Sequence, residues 1–318
     1  MYKVLCVLPM SELRRNKLLS VAENCELCFA DKKCLDEKLI SSADIILGNV
    51  PADMIKASPK LKLLQLESAG TDAYIVPGVL DTGTVLANST GAYGKAVSEH
   101  GFALTLTLLK KLYLYRDAQQ RGQWVDMGMV KSLSSCTVII AGLGDIGEKY
   151  AKLVKALGAY TIGVKRRPAE KPECVDELYS SNKLDEILPR ADVVFSVLPN
   201  TTQTRYIYTD RSFDLMKEDA VFINCGRGNA VSSDVLYRAL SQHKISAAAI
   251  DVTDPEPLPS NSPLWSLENL VITPHVSGGE HLPETFEHVI DIAAENLVNF
   301  QKGLPIRNEI DFSTGYKK

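Results

Sequence analysis

The sequence predicts an α/β protein built from two doubly wound parallel-sheet domains, one inserted into the other. Three observations carry this prediction: two series of short β-rich runs alternating with helix-length segments, a Gly142-x-Gly144-x-x-Gly147 turn opening the second series, and a closing helix with no strand after it. At 318 residues and 45% apolar content, the chain exceeds what one hydrophobic core ordinarily supports.

In the first series, residues 3–8, 26–30, 45–48, 61–66 and 84–87 read as strands. Five such strands suggest a small flavodoxin-like unit. Residues 94–120 then carry apolar side chains at helical spacing without a proline, predicting one long helix, and the polar stretch 122–135 reads as a loop. The second series places strands at 137–141, 160–164, 193–198, 221–224, 247–251 and 270–272, six in all, matching a Rossmann domain. The closing segment 283–301 is one amphipathic helix with Pro283 at its start and Gly303 just past its end. With no strand to follow, this helix is expected to return to the first unit. The expected division is therefore 1–98 with 287–318 for a discontinuous substrate domain, and 99–286 for the inserted cofactor domain.

Charge and cysteine content exclude several function classes. The formal charge of −4, from 35 basic and 39 acidic residues, gives no overall field for nucleic acid or an anionic membrane surface. No apolar run approaches a membrane span, and the apolar opening segment 1–8 is too short for a signal sequence. The seven scattered cysteines are odd in number, which suits reduced thiols in the cytoplasm. Cys25, Cys28 and Cys34 form a CxxC with a third thiol nearby, but no second pair or neighbouring His completes a zinc site, so no metal is expected.

The glycine turn lies directly after an apolar strand and before a helical segment, the setting in which this spacing binds a dinucleotide. Gly142 permits the tight turn, Gly144 lets the backbone approach a pyrophosphate, and Gly147 lets helix and strand pack closely, with Asp145 and Ile146 between them. The end of the next strand ordinarily carries an acid that reads the ribose 2′-hydroxyl. Here Lys165, Arg166, Arg167 and Pro168 stand there instead. Such cations suit a 2′-phosphate, so NADP(H) is the expected cofactor, with NAD(H) still possible; a solvated basic turn is the bland alternative.

Three candidate catalytic residues follow three successive strands. Arg227 stands in Asn224-Cys225-Gly-Arg-Gly228, Glu256 in Asp251-Val-Thr-Asp-Pro-Glu-Pro-Leu-Pro259, and His275 in Ile272-Thr-Pro-His275. Reduction of a 2-oxo acid needs a cation at the carboxylate and carbonyl, a proton donor, and a partner for that donor. Singly, each has an ordinary explanation: an arginine in a turn, a solvated acid, a histidine meeting a local hydrogen bond. Jointly, at the carboxyl ends of parallel strands behind the glycine turn, they make a site. His100 and His243 read as structural, and His281 has no assigned role.

These blocks resemble the signature segments of the D-isomer-specific 2-hydroxyacid dehydrogenases, and the similarity runs nearly end to end. It includes Ser68-Ala-Gly-Thr-Asp72, Asn88-Ser-Thr-Gly91 with Val97-Ser-Glu-His100, Ser262-Pro-Leu-Trp265, Thr273-Pro-His-Val-Ser-Gly-Gly279 and the final Gly315-Tyr316. The resemblance implies that Arg227 binds and polarises the substrate, that His275 is the general acid in reduction, and that Glu256 pairs with His275 and favours its imidazolium form. It further implies that Ala69 and Gly70 offer backbone N–H groups to the carboxylate. Asp251 is placed near the nicotinamide carboxamide, Leu198 and Pro199 along the adenosine and ribose, and Cys225 beside the cofactor. It also implies a homodimer through the long helix after residue 94. Lys165, where the family usually has Asp, departs from the pattern and puts NAD use in doubt. The substrate side chain would be read around Tyr74, Tyr93 and Trp265. The rival reading is a dinucleotide-sensing, corepressor-like regulator on the same fold. A relative oxidising formate would need Gln in place of Glu256.

Overall fold

The computed structural model describes residues 1–56, 58–167, 170–279 and 282–318. The chain divides into two compact units, Met1–Tyr93 with Leu282–Lys318, and Gly94–His281. The first crossing thus falls ahead of the long helix rather than inside it, and the second a few residues before 287.

In the first unit, β1 (Tyr2–Cys6), β2 (Cys25–Phe29), β3 (Ile45–Leu47), β4 (Leu63–Gln65) and β5 (Val85–Ala87) pair in the parallel order β2-β1-β3-β4-β5. This is the flavodoxin-like order. Its inner strands are mostly apolar, Lys3 and Gln65 being the polar exceptions, because both faces are covered. Val4, Cys6, Ile45, Leu47 and Leu63 meet Val289, Ile290, Ala293 and Leu297 of the helix Pro283–Lys302. Leu5, Ile46 and Leu64 face the opposite way, against Ile40 and Ile55. The closing helix is tied to the sheet by buried Asn296, which donates to Gln65 Oε1 at 2.5 Å and to the Arg307 carbonyl at 2.9 Å. Gly303 ends it in the left-handed conformation at φ 65°.

The second unit holds seven strands: β6 (Thr137–Ala141), β7 (Tyr160–Lys165), β8 (Glu177–Ser180), β9 (Val193–Ser196), β10 (Val221–Asn224), β11 (Ala247–Ile250) and β12 (Leu270–Ile272). They pair in the parallel order β12-β11-β10-β9-β6-β7-β8. Counted along the chain this is 3-2-1-4-5-6 with one further strand, the Rossmann order. The six-strand expectation omitted β8, an edge strand whose residues are all only half-buried. Besides the packing of Tyr179 on the core, an ion cluster anchors it. Glu177 accepts from Arg190 Nη1 at 3.0 Å and Nη2 at 2.5 Å, and from the hydroxyls of Tyr160 and Tyr179 at 2.6 Å each.

The expected long helix is two, Gly94–Leu109 and Leu112–Gln120, broken where Lys111 turns left-handed at φ 55°. No Gly or Pro marks the break. The cause is tertiary: Lys110 Nζ donates to the Lys131 carbonyl at 2.7 Å and Lys111 Nζ to the Met127 carbonyl at 2.6 Å. The first of these helices lies tight on the sheet, since a Cβ on Gly101 would stand 2.3 Å from the Phe195 ring, itself stacked on Tyr150 with centroids 3.7 Å apart. Gly101→Ala is therefore expected to destabilise the protein by about 1–3 kcal/mol. Urea unfolding followed by circular dichroism measures this, and an unchanged midpoint would contradict the packing described.

Candidate active site

The glycine turn meets the steric requirements of a dinucleotide site. Gly142 has φ +101°, and a Cβ there would lie 2.7 Å from the Val197 carbonyl; at Gly147 it would lie 2.2 Å from the Gly142 carbonyl. Gly144 faces open space at the N-terminus of the helix Asp145–Ala156, where N–H groups and the helix dipole favour an anion. Two glycines are thus enforced by contact and the third leaves room for a ligand, so the residues present fit the group that the sequence implies. Asp145 pairs with Lys149 at 2.6 Å while its Oδ2 is buried without a hydrogen bond, and Ile146 is half-buried in the same turn.

At the end of β7, Lys165 is exposed and 4.0 Å from Glu148 Oε1; Arg166 is half-buried and Arg167 exposed. Pro168 and His281 lie outside the described residues. The loops after β9 and β10 lie flush, because a Cβ on Gly226 would come within 2.6 Å of the Leu198 backbone. This places Leu198 and Pro199 beside the Cys225–Gly228 loop. Burial pushes the Cys225 thiol far above its usual range, with the Asp251 charge adding to the effect, so it presents a neutral wall.

Arg227 is positioned by the last residue of β10. Buried Asn224 donates from Nδ2 to the Arg227 carbonyl at 3.0 Å, and its Oδ1 accepts the Gly226 N–H at 3.1 Å. The Arg227 backbone is extended, and its Nη1 donates to the Gly226 carbonyl at 2.9 Å. A Cβ on Gly228 would stand 1.9 Å from the Thr253 carbonyl, so the arginine loop rests on the loop that leads to Glu256. Ser233 Oγ, donating to the Asp254 carbonyl at 3.0 Å, pins that second loop.

Glu256 Oε1 lies 2.5 Å from His275 Nδ1, and both side chains are partly exposed, at 41% and 46%. With Nδ1 committed to the carboxylate, Nε2 is left without a hydrogen bond among the described residues, available to a substrate oxygen. Asp251, by contrast, is buried at 1% exposure, and its carboxylate already accepts from Thr273, Val276 and Ser277. Sequence reasoning overlooked the parts played by Asn224 and Thr273 and the link of His100 to Thr273. A buried Asn closing an apolar strand was the available signal for the first.

In the other unit, the Ser68–Gly70 loop follows β4. The Ala69 carbonyl accepts from Asn88 Nδ2 at 2.7 Å and the Gly70 carbonyl from Ser68 Oγ at 2.7 Å. The N–H groups of both residues make no hydrogen bond among the described residues. Open N–H groups of this kind are compatible with an anion. Tyr74 is buried with its hydroxyl on the Val50 carbonyl, Tyr93 bonds the Glu67 carbonyl, and Trp265 is exposed. All seven cysteines are free. Among the described residues no group of three His, Cys, Asp or Glu side chains is disposed to hold a metal ion, and no helix is long and apolar enough to cross a membrane.

A family model described as "D-isomer specific 2-hydroxyacid dehydrogenase, NAD binding domain" matches residues 102–277. Human glyoxylate reductase/hydroxypyruvate reductase is 33% identical over 80% of this chain and 78% of its own length. A D-isomer specific 2-hydroxyacid dehydrogenase family protein from Aeromonas salmonicida has a similar structure, with a TM-score of 0.85, 33% identity, and 98% and 100% of the two chains covered. The NADPH-dependent glyoxylate/hydroxypyruvate reductase of Sinorhizobium meliloti, solved with NADP and sulfate, gives a TM-score of 0.83 at 25% identity over 99% and 100%. The chain spans 49% of the D-3-phosphoglycerate dehydrogenase of Archaeoglobus fulgidus, to which it is 32% identical over 82% of its own length.

Proposed function

Because the chain belongs to the D-isomer specific 2-hydroxyacid dehydrogenases, an NAD(P)-dependent oxidoreductase family, we propose that it reduces a 2-oxo acid to the D-2-hydroxy acid, with NADPH as the preferred donor. The observation that carries this reading is the 2.5 Å Glu256–His275 pair, one loop away from Arg227, at the carboxyl ends of β10, β11 and β12. The dinucleotide, held by the turn from Gly142 to Gly147 and by the segments at Leu198, Pro199 and Cys225, supplies the hydride when bound.

The protein's own groups do the rest. Arg227 meets the substrate carboxylate and carbonyl, and its charge offsets the negative charge that grows on the carbonyl oxygen. Glu256 fixes the imidazole with Nδ1 toward the carboxylate, so that His275 delivers a proton from Nε2 to that oxygen. A panel of 2-oxo acids, including glyoxylate, hydroxypyruvate and pyruvate, assayed with NADPH and NADH tests the reading. Consumption of NADPH with at least one of them is expected; no turnover with any would end it.

The preference for NADPH rests on Lys165, Arg166 and Arg167 standing where an acid would read the ribose, and the Sinorhizobium relative carries NADP. Charge-assisted hydrogen bonds contribute about 1.5–3 kcal/mol each. A Lys165→Asp/Arg166→Ala variant is thus expected to shift the NADPH-to-NADH ratio of kcat/KM toward NADH by about 10- to 100-fold. An unchanged ratio would mean that the basic turn does not read the cofactor.

The free thiols suit a cytoplasmic setting. A homodimer through the segment after residue 94 is supported by the exposed apolar side chains of Leu112, Trp124 and Met129. A solution mass of twice 34.9 kDa is expected by light scattering, and a mass of one chain would oppose it.

A further inference from the structure

The residues behind His275 form a connected chain within the Gly94–His281 unit. A carboxylate as buried as Asp251 needs donors around it. Among the described residues it has three, all from the segment that carries His275: Thr273 Oγ1 at 2.6 Å, and the N–H groups of Val276 and Ser277 at 3.0 Å each. The Asp251 carbonyl takes the N–H of His275 itself at 2.8 Å. Between these bonds His275 has φ +52°, a left-handed conformation that costs a side-chain-bearing residue about 1–2 kcal/mol. Asp251 therefore clamps the backbone from which the imidazole projects.

The chain continues one residue further. A carboxylate that meets only donors accepts throughout, so the Thr273 hydroxyl hydrogen points to Asp251 and its oxygen is left to accept. Nε2 of His100, on the helix Gly94–Leu109, lies 3.2 Å from that oxygen and 3.9 Å from Asp251 Oδ1. The hydrogen of a neutral His100 then belongs on Nε2. The next residue along, Gly101, packs on Phe195, so the helix that presents His100 is seated firmly on the sheet.

We propose that His100 is a positioning residue for the reaction: through the directed chain from its Nε2–H to the Thr273 hydroxyl to the Asp251 carboxylate, it fixes the segment that aims His275. The proposal rests on the proton-donor role given to His275 above. Its effect is expected on kcat, because the side-chain bonds of the chain run to the segment that carries His275; its link to the arginine loop is a main-chain bond, Asp251 N–H to the Asn224 carbonyl at 2.9 Å, which variants at His100 and Thr273 leave in place.

Two measurements test it on the full-length protein. In the first, long-range nitrogen–proton spectra of histidine-labelled protein are expected to show His100 as the Nε2–H tautomer, and Thr273→Val, close in shape, is expected to perturb that signal. In the second, kinetics with glyoxylate and NADPH compare variants. His100→Leu and Thr273→Val are each expected to lower kcat about tenfold with KM and NADPH affinity within about twofold. His100→Gln, which returns an N–H near the Nε2 position, is expected to recover to within about threefold of the wild type. The double variant is expected to be no slower than the slower single, because the two residues act through one chain. An Nδ1–H tautomer, an unchanged kcat in Thr273→Val, a Gln variant as slow as Leu, or losses that multiply would each overturn the proposal. Should His100→Leu fail to fold, Thr273→Val and the tautomer still decide. A wild type inactive on every 2-oxo acid would remove the role of His275, whereas the wrong tautomer would remove only the chain behind it.

Discussion

His275→Gln is expected to lower kcat/KM by about 100- to 10,000-fold, while NADPH binding stays within about threefold of the wild type. The size follows from what glutamine keeps and what it loses. Its amide is close to imidazole in reach and can still hydrogen-bond both Glu256 and a substrate oxygen. It cannot deliver a proton to that oxygen, so the charge that forms there must be quenched by water or carried by Arg227 alone. Cofactor binding is spared because His275 stands after β12, away from the glycine turn after β6. Stopped-flow hydride transfer and fluorescence titration with NADPH separate the two quantities. Near-normal turnover in this variant would remove His275 from the mechanism.

Arg227→Ala carries the second large expectation, a loss in kcat/KM of about 100- to 1,000-fold, the usual cost of removing one group that stabilises developing oxyanion charge. Because the same guanidinium meets the substrate carboxylate, KM is expected to rise as kcat falls. Arg227→Lys restores the charge but not the planar fork, so it should recover only part of the loss. The side-chain amide of Asn224 holds the main chain of this loop at Gly226 and Arg227, which leaves its path intact in either variant. A variant with full kcat and a normal KM would show that the arginine faces neither the carboxylate nor the carbonyl.

Much of this site was legible before the fold. The inner strands of both sheets announced themselves as mostly apolar runs, because both faces of each sheet are covered. The three catalytic candidates were found by their places after strands, where open α/β sheets gather ligands. Three features escaped, each for a physical reason. The edge strand β8, Glu-Leu-Tyr-Ser, has no apolar pattern, since the Glu177–Arg190 pair and two tyrosine hydroxyls anchor it. The helix break at Lys111 involves no breaker residue, being drawn by two lysine side chains to carbonyls of a loop 16 and 21 residues away. The chain behind His275 joins residues 173 positions apart, which no local spacing reveals. Asp251 shows the same limit from another side. The family resemblance places it near the nicotinamide, and its hydrogen bonds to the segment that carries His275 come in addition, a link no local spacing announces.

Hydride is expected to reach C2 of a 2-oxo acid on one face, with His275 protonating the oxygen. Reduction of pyruvate, or of whichever chiral-product member of the panel turns over fastest, with NADPH deuterated at the transferable C4 position tests it most directly. Mass spectrometry and chiral chromatography of the product read the result. The expected product is the D-2-hydroxy acid with one deuterium on C2 and none from the solvent at that carbon. An L product, or hydrogen at C2 drawn from water, would contradict the claim.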